Sequence, residues 1–183
     1  TYYMENQTQD KRLYIFTSGA ILGLAMVLFL SIVYLLTGRL SGTSLDALSW
    51  LIYAGVIYYT MRRYRDHYMD GFISYGKGLV FGMQTAVLSG LIIGFFFFIM
   101  FRFINPGLQL QLVQEAEEAY LALGMSEAFV EQMSASIEMM SNPWVLLISN
   151  AFSGLINGLL VALVVSIFVK RKGDPFQEVM KDV

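Results

Sequence analysis

Glu115 and Glu118 stand three residues apart, near enough on a helix to put two carboxylates on one face, the spacing an acid–base pair or a hard-cation site would use. They belong to a stretch, 103–143, with six glutamates (Glu115, Glu117, Glu118, Glu127, Glu131 and Glu138) and, between Phe103 and Pro143, no lysine or arginine. No histidine accompanies them, and calcium sites draw on clustered Asp, Asn and backbone oxygens. A solvated acidic face is the preferred reading. Gly71, Gly76 and Lys77 reproduce the GxxxxGK spacing of a phosphate-binding loop, but Gly78 stands where Ser or Thr must hold magnesium, and no strand leads in. Nucleotide binding is rejected. His67, the only histidine, has no catalytic or metal-type neighbour in sequence and reads as a solvated or interfacial side chain. Cysteine is absent, which removes disulfides, thiolate metal sites and cysteine nucleophiles. No catalytic, cofactor-binding or metal-ligating residue is assigned, and no enzymatic activity is expected.

Two other groups carry polar chemistry. Gln84, Thr85 and Ser89, with Ser149, Asn150, Ser153 and Asn157, interrupt otherwise apolar runs. Asn150 and Asn157 are seven apart and share a helix face. Interhelical hydrogen bonding, worth roughly 0.6 kcal/mol each, is the preferred account. The other is a polar interior of Gln84, Asn150 and Asn157 lining a path for a small neutral or lipid-like solute. No ionisable residue joins them, which disfavours proton relays and ion-coupled transport. Arg62, Arg63 and Arg65 suit anionic lipid head groups, at about 1 kcal/mol per basic residue, or an acidic partner.

The elements that must position these residues are membrane helices. Of the 183 residues 56% are hydrophobic and 14% charged, with a mean hydropathy of +0.58; soluble domains are about 45–50% apolar and about 25% charged. The net charge of −2 leaves no broad basic surface for nucleic acid. Four segments read as spans, at about 13–36, 45–61, 78–101 and 144–169, against the roughly 20 apolar residues a crossing needs. The second is the shortest. Of twelve lysines and arginines only Arg39 and Arg102 fall outside the N-terminus, the loop 62–77 and the tail 170–183. The retention of short basic loops in the cytoplasm then predicts both termini inside and 103–143 outside. Trp50, Tyr58, Tyr59, Phe101, Phe103 and Trp144 are expected at the interfaces, and Phe95–Phe98 against lipid.

Small residues recur every four positions in the third span and its approach (Ser74, Gly78, Gly82, Ala86, Gly90, Gly94) and in the fourth (Asn150, Gly154, Gly158, Ala162, Ser166). Missing side chains at that interval let membrane helices approach closely, so these two spans are expected to pack on each other. Four residues turn a helix by about 400°, so each ladder drifts by about 40° per step and should cross a neighbour obliquely or meet more than one. The segment about 105–142 carries two apolar stripes, Leu108, Leu112, Ala116, Tyr120 and Leu123, then Phe129, Val130, Met133, Ile137 and Met140. They are separated by Gly124 and a candidate N-cap, Ser126. Two short amphipathic helices are expected there.

The stretches SYGKG before the third span, FRFINPG after it and GMSEAFVEQM before the fourth resemble an uncharacterised family of four-pass Bacteroidetes inner-membrane proteins, classed as a domain of unknown function. The resemblance covers nearly the whole chain. It implies four helices, a bacterial inner membrane and a long loop between spans three and four, and it carries over no functional residues. The expected fold is an all-α integral membrane protein, a four-transmembrane-helix bundle in a single domain, 1–183. Its expected role is that of an accessory or scaffold subunit contacting membrane lipids and a membrane-protein partner or a second copy. The alternative is a carrier or channel.

Overall fold

The computed structural model describes residues 2–40 and 45–171. Over them the chain folds into α1 (Tyr2–Thr37), α2 (Asp46–Tyr68), α3 (Tyr75–Ile99), α4 (Gly107–Ala122), α5 (Glu127–Met140) and α6 (Pro143–Val169). A π-helical turn, Met100–Ile104, carries α3 onward to Asn105. Lys172, Lys181 and the rest of the tail 172–183 lie outside the described residues. Helix starts follow side-chain chemistry. Ser74, Ser126 and Asn142 sit extended and accept the backbone N–H of Lys77, Phe129 and Trp144, respectively, satisfying donors that a first turn leaves bare. Gly124, at φ +83°, supplies the left-handed residue that separates α4 from α5.

Three helices are long and apolar enough to cross a membrane: Gln9–Thr37 within α1, α3 with its π turn (Tyr75–Ile104), and α6. Around them large apolar side chains such as Leu13, Leu24, Leu35, Phe152 and Phe168 face outward, as a hydrocarbon solvent permits and water does not. The second expected span, 45–61, is the beginning of a longer helix. Its apolar run, 47–61, covers about 22 Å at 1.5 Å per residue, and the same helix continues through Arg62, Arg63 and Arg65 to Tyr68. The expected loop 62–77 therefore shrinks to Met69–Ser74, turned by left-handed Asp70 (φ 51°) and Gly71 (φ 79°).

The most extensive packing in the molecule is that of α3 on α6. The two run antiparallel, and their small-residue ladders meet rung for rung. A methyl group built on Gly78 would lie 2.6 Å from Ser166 Oγ; on Gly82, 2.5 Å from Ala162 Cβ; on Gly94, 2.7 Å from the Leu147 carbonyl; and on Gly154, 2.5 Å from the Ala86 carbonyl. Gly90 abuts the Asn150 carbonyl and Gly158 the Ala86 methyl. α6 is met along the whole α3 ladder, with Met61 of α2 also beside Gly78 and Gly82. The 40° drift per step is taken up by the two helices winding about each other, because a four-residue repeat runs ahead of the 3.6-residue turn. The opposite side of α3 docks on α1, where Gly19 and Gly23 seat Leu88 and Ile92.

The two ends of the bundle are closed by different chemistry. At the basic end Tyr14, Tyr64, Tyr68 and Phe81 stack, with centroids 4.9 Å apart for Tyr14–Tyr68 and 4.7 Å for Tyr64–Phe81. The Tyr14 hydroxyl donates to the Thr60 carbonyl at 3.1 Å, joining α1 to α2. At the acidic end Leu40, Met100, Phe101 and Leu108 are buried together. Phe101 is thus core rather than an interfacial ring. Of the four consecutive phenylalanines only Phe95 is exposed: Phe96 and Phe97 pack on that core and Phe98 meets Trp144 at 4.6 Å. In α4 and α5, Leu108, Val130 and Ile137 are buried, whereas Leu121, Leu123, Phe129, Met139 and Met140 are exposed.

The seam predicts a contrast between two glycine-to-alanine changes. Gly154→Ala pushes a methyl into backbone that no rotamer can move, and should destabilise by about 1–3 kcal/mol. Gly55→Ala on α2, where nothing lies within 4 Å, should leave stability unchanged or raise it by up to about 1 kcal/mol through helix propensity. Thermal unfolding of both variants in one detergent checks the pair.

Candidate functional site

Tyr53 is buried on α2, and its hydroxyl finds no hydrogen-bond partner among the described residues. It lines a cavity of about 160 Å³ together with Met26 of α1, Ser49 and Trp50 of α2, Gly90 and Ile93 of α3, and Asn150, Ser153, Gly154 and Asn157 of α6. The fold gathers these groups through the seam. The close approach of α3 and α6 at Gly90 and Gly154 leaves no side chains there to fill the space toward α2. Asn150 and Asn157, two helical turns apart on α6, then both border it. The expected interhelical bond is not what Asn150 makes: its Nδ2 donates to the Leu146 carbonyl of its own helix at 2.7 Å, leaving one further donor and the amide oxygen as acceptor. Two more buried hydroxyls without partners, Thr85 and Ser89, lie on α3.

Gln84 is placed elsewhere. It is exposed and borders grooves on the outer side of α3, not this cavity. At about 30 Å³ per water molecule, 160 Å³ holds roughly five waters or one solute of a few heavy atoms. No ionisable side chain other than the phenol of Tyr53 lines it, and among the described residues no three of His, Asp and Glu cluster. Its chemistry is therefore that of a neutral hydrogen-bonding chamber.

Asn150 also borders a second cavity of about 210 Å³ toward the acidic end, lined among others by Leu40, Phe101, Leu108, Gln111 and Glu115. Arg39 Nε lies 3.7 Å from Glu115 Oε1. The Glu115–Glu118 pair divides accordingly: Glu115 turns toward the bundle and Glu118 is exposed. His67 Nδ1 sits 3.1 Å from the Arg63 carbonyl on an exposed turn.

The three arginines of α2 part company. Arg62 and Arg63 are exposed, the latter donating to the Tyr59 hydroxyl at 3.0 Å. Arg65 is 5% exposed and turned inward. Its Nη1 donates to the Val169 carbonyl at 3.0 Å, on the last residue of α6, and its Nε donates to Asp66 Oδ1 at 2.7 Å. A guanidinium at a helix C-terminus meets the negative end of the dipole, and its N–H groups hold the Asp66 carboxyl below the usual carboxylate range. Arg171 N donates to the Ile73 carbonyl at 3.1 Å beside it. Arg65 thus ties α2 to the end of α6, a role sequence reasoning missed because a basic run after a span reads as topology. Tyr53 was missed because one tyrosine in an apolar run reads as core.

Arg65→Met removes hydrogen bonds to a charged donor and should cost about 1.5–3 kcal/mol. Arg62→Gln and Arg63→Gln should stay within about 0.5 kcal/mol. Parallel thermal melts in detergent separate the three.

No curated protein matches the chain, and no solved structure does. A family profile matches residues 17–171, from about the middle of α1 to the β-bridge that follows α6. The chain belongs to the family described as protein of unknown function DUF4199.

Proposed function

We propose that the chain is a four-span protein of a bacterial inner membrane. Its basic end and both termini are cytoplasmic, and 103–143 is periplasmic. It works as a non-enzymatic accessory or scaffold subunit of a membrane complex. The concentration of basic residues at one end supports the orientation. In this reading α2 is the second span. Its apolar run falls several ångströms short of the roughly 30 Å core, a gap closed by local thinning and by Arg62 and Arg63 reaching up to the interface.

One observation carries the subunit reading. At the acidic end Phe129 and Met140, eleven residues apart on one face of α5, lie exposed with Met139, and Glu127, Glu131 and Glu138 are exposed on the opposite face. A helix with three glutamates and no lysine or arginine is repelled by anionic head groups, so its apolar face is covered better by protein than by bilayer. A photo-crosslinking residue at Phe129 should give, in native membranes, one adduct of defined mass, either a different protein or a second copy. The same residue at lipid-facing Val164 should give none. A chain without an adduct at Phe129, extracted as a lone monomer, contradicts the reading.

The cavity favours a second reading, a carrier or channel for a small neutral solute, because Tyr53, Asn150 and Asn157 offer uncharged hydrogen bonds inside the bundle. Asn150→Leu combined with Asn157→Leu separates the two. In a subunit the loss of the Asn150 bond to the Leu146 carbonyl of its own helix costs about 1 kcal/mol, and the Phe129 adduct stays intact. In a carrier, proteoliposome flux of a solute such as glycerol falls to the background of empty vesicles.

A further inference from the structure

The outer side of α3 is not smooth. Between α1 and α3, with Leu155 of α6 on its border, runs a groove of about 690 Å³, walled by Ile15, Phe16, Val80, Val87 and Leu91 among others. Arg12 and Gln84 are the polar residues on its lining. A second hollow of about 430 Å³ shares Ile15, Val80 and Gln84 with it, and adds Lys11 and Lys77 at the basic end. The two form one continuous depression, apolar along its length and basic at its mouth.

Its dimensions match one lipid leaflet. From Val80 to Leu91 the α3 wall rises about 16 Å at 1.5 Å per residue, and half of a roughly 30 Å hydrocarbon core is about 15 Å. Its charge is complementary to a phosphate. Lys11, Arg12 and Lys77 take part in no ion pair among the described residues. The only acid beside them in sequence among those residues is Asp10, which is exposed. Among the described residues, others of this end are engaged elsewhere: Arg65 on the end of α6, Arg62 4.0 Å from Asp66, Arg63 on the Tyr59 hydroxyl and Lys170 over the Tyr75 ring.

We infer that this depression holds one phospholipid with an anionic head group, an acyl chain along α3 between Ile15 and Leu91, and the phosphate between Lys11, Arg12 and Lys77. The inference rests on the reading that the bundle sits in a bilayer with this end at one surface. It assigns lipid selection to residues other than the exposed pair Arg62 and Arg63.

The test is native mass spectrometry of the full chain released from detergent with added phosphatidylglycerol or phosphatidylcholine. One phosphatidylglycerol should be retained at energies that strip phosphatidylcholine. A basic residue near an anionic surface is worth about fivefold in binding. Lys11→Gln, Arg12→Gln and Lys77→Gln together should therefore weaken retention by roughly a hundredfold. Arg62→Gln with Arg63→Gln should leave it unchanged. Val87→Trp, which fills the groove and leaves the charges in place, should also abolish it, with circular dichroism confirming a folded helix bundle.

Equal retention of the two lipids, loss on removing Arg62 and Arg63, or full displacement by soluble glycerol phosphate would each overturn the site. Failure of the membrane reading looks different. The chain would then stay in solution without detergent and would not float with phosphatidylcholine vesicles. A chain that floats but shows no lipid preference overturns this inference alone.

Discussion

Everything in this bundle is arranged around backbone meeting backbone between α3 and α6. In hydrocarbon there is no hydrophobic drive to bring two apolar helices together, so contact must come from close packing. The chain achieves it by removing side chains. Gly82 faces Ala162, Gly90 faces the Asn150 carbonyl, and Gly154 faces the Ala86 carbonyl. With carbonyls as the opposing atoms, the fit depends on helix position and not on rotamers, so the register is fixed along the seam. Once α3 is fixed, its other side offers Leu88 and Ile92 to the glycine pair of α1, which adds a third helix by the same device with the roles of small and large reversed.

α2 is the element this logic does not reach. It brings no small-residue ladder to the seam and packs sparsely on α3, although Tyr53, Ile57 and Met61 are buried against the other helices. It is held near its basic end by the Tyr14 hydroxyl on the Thr60 carbonyl and by Arg65 on the end of α6. Away from those ties it stands off from the seam, and the cavity of Tyr53, Asn150 and Asn157 occupies the gap. The neutral chamber and the buried arginine are thus two consequences of one arrangement, a tight helix pair with α2 tied beside it most firmly at the basic end.

Part of this was legible in the sequence and part was not, for physical reasons. Apolar length and the four-residue recurrence of small side chains are properties of the chain itself, so the helices of 13–36, 78–101 and 144–169 and the positions of the ladders can be read directly. The continuation of α2 through its arginines could not, because positive charge after an apolar run marks a membrane boundary equally well in a helix or a loop. Burial of Arg65 depends on where the last carbonyls of α6 arrive, a tertiary fact with no local signature. Asn150 and Asn157 share a helix face by spacing alone, whereas Gln84 belongs to the outer side of α3, which only the direction of the seam decides. The burial of Phe101 and the half-burial of Phe96 and Phe97 follow from the π turn and the packing of α4, neither of which an aromatic run announces.

The account stands on the register of α3 against α6, and the absence of native cysteine makes that register directly measurable. A Cβ on Gly78 would lie 3.2 Å from the Ser166 Cβ, just below the roughly 3.5–4.5 Å range of disulfides, so that a separation of the helices by a few tenths of an ångström brings the pair into it. Gly78→Cys combined with Ser166→Cys should therefore close on mild oxidation into an intramolecular bond, seen as loss of both sites to a maleimide polymer on a denaturing gel. Gly78→Cys with Ala162→Cys, one turn out of register, should stay open. Closure of the displaced pair in preference to the aligned one, or free labelling of both, would contradict the seam on which the rest depends.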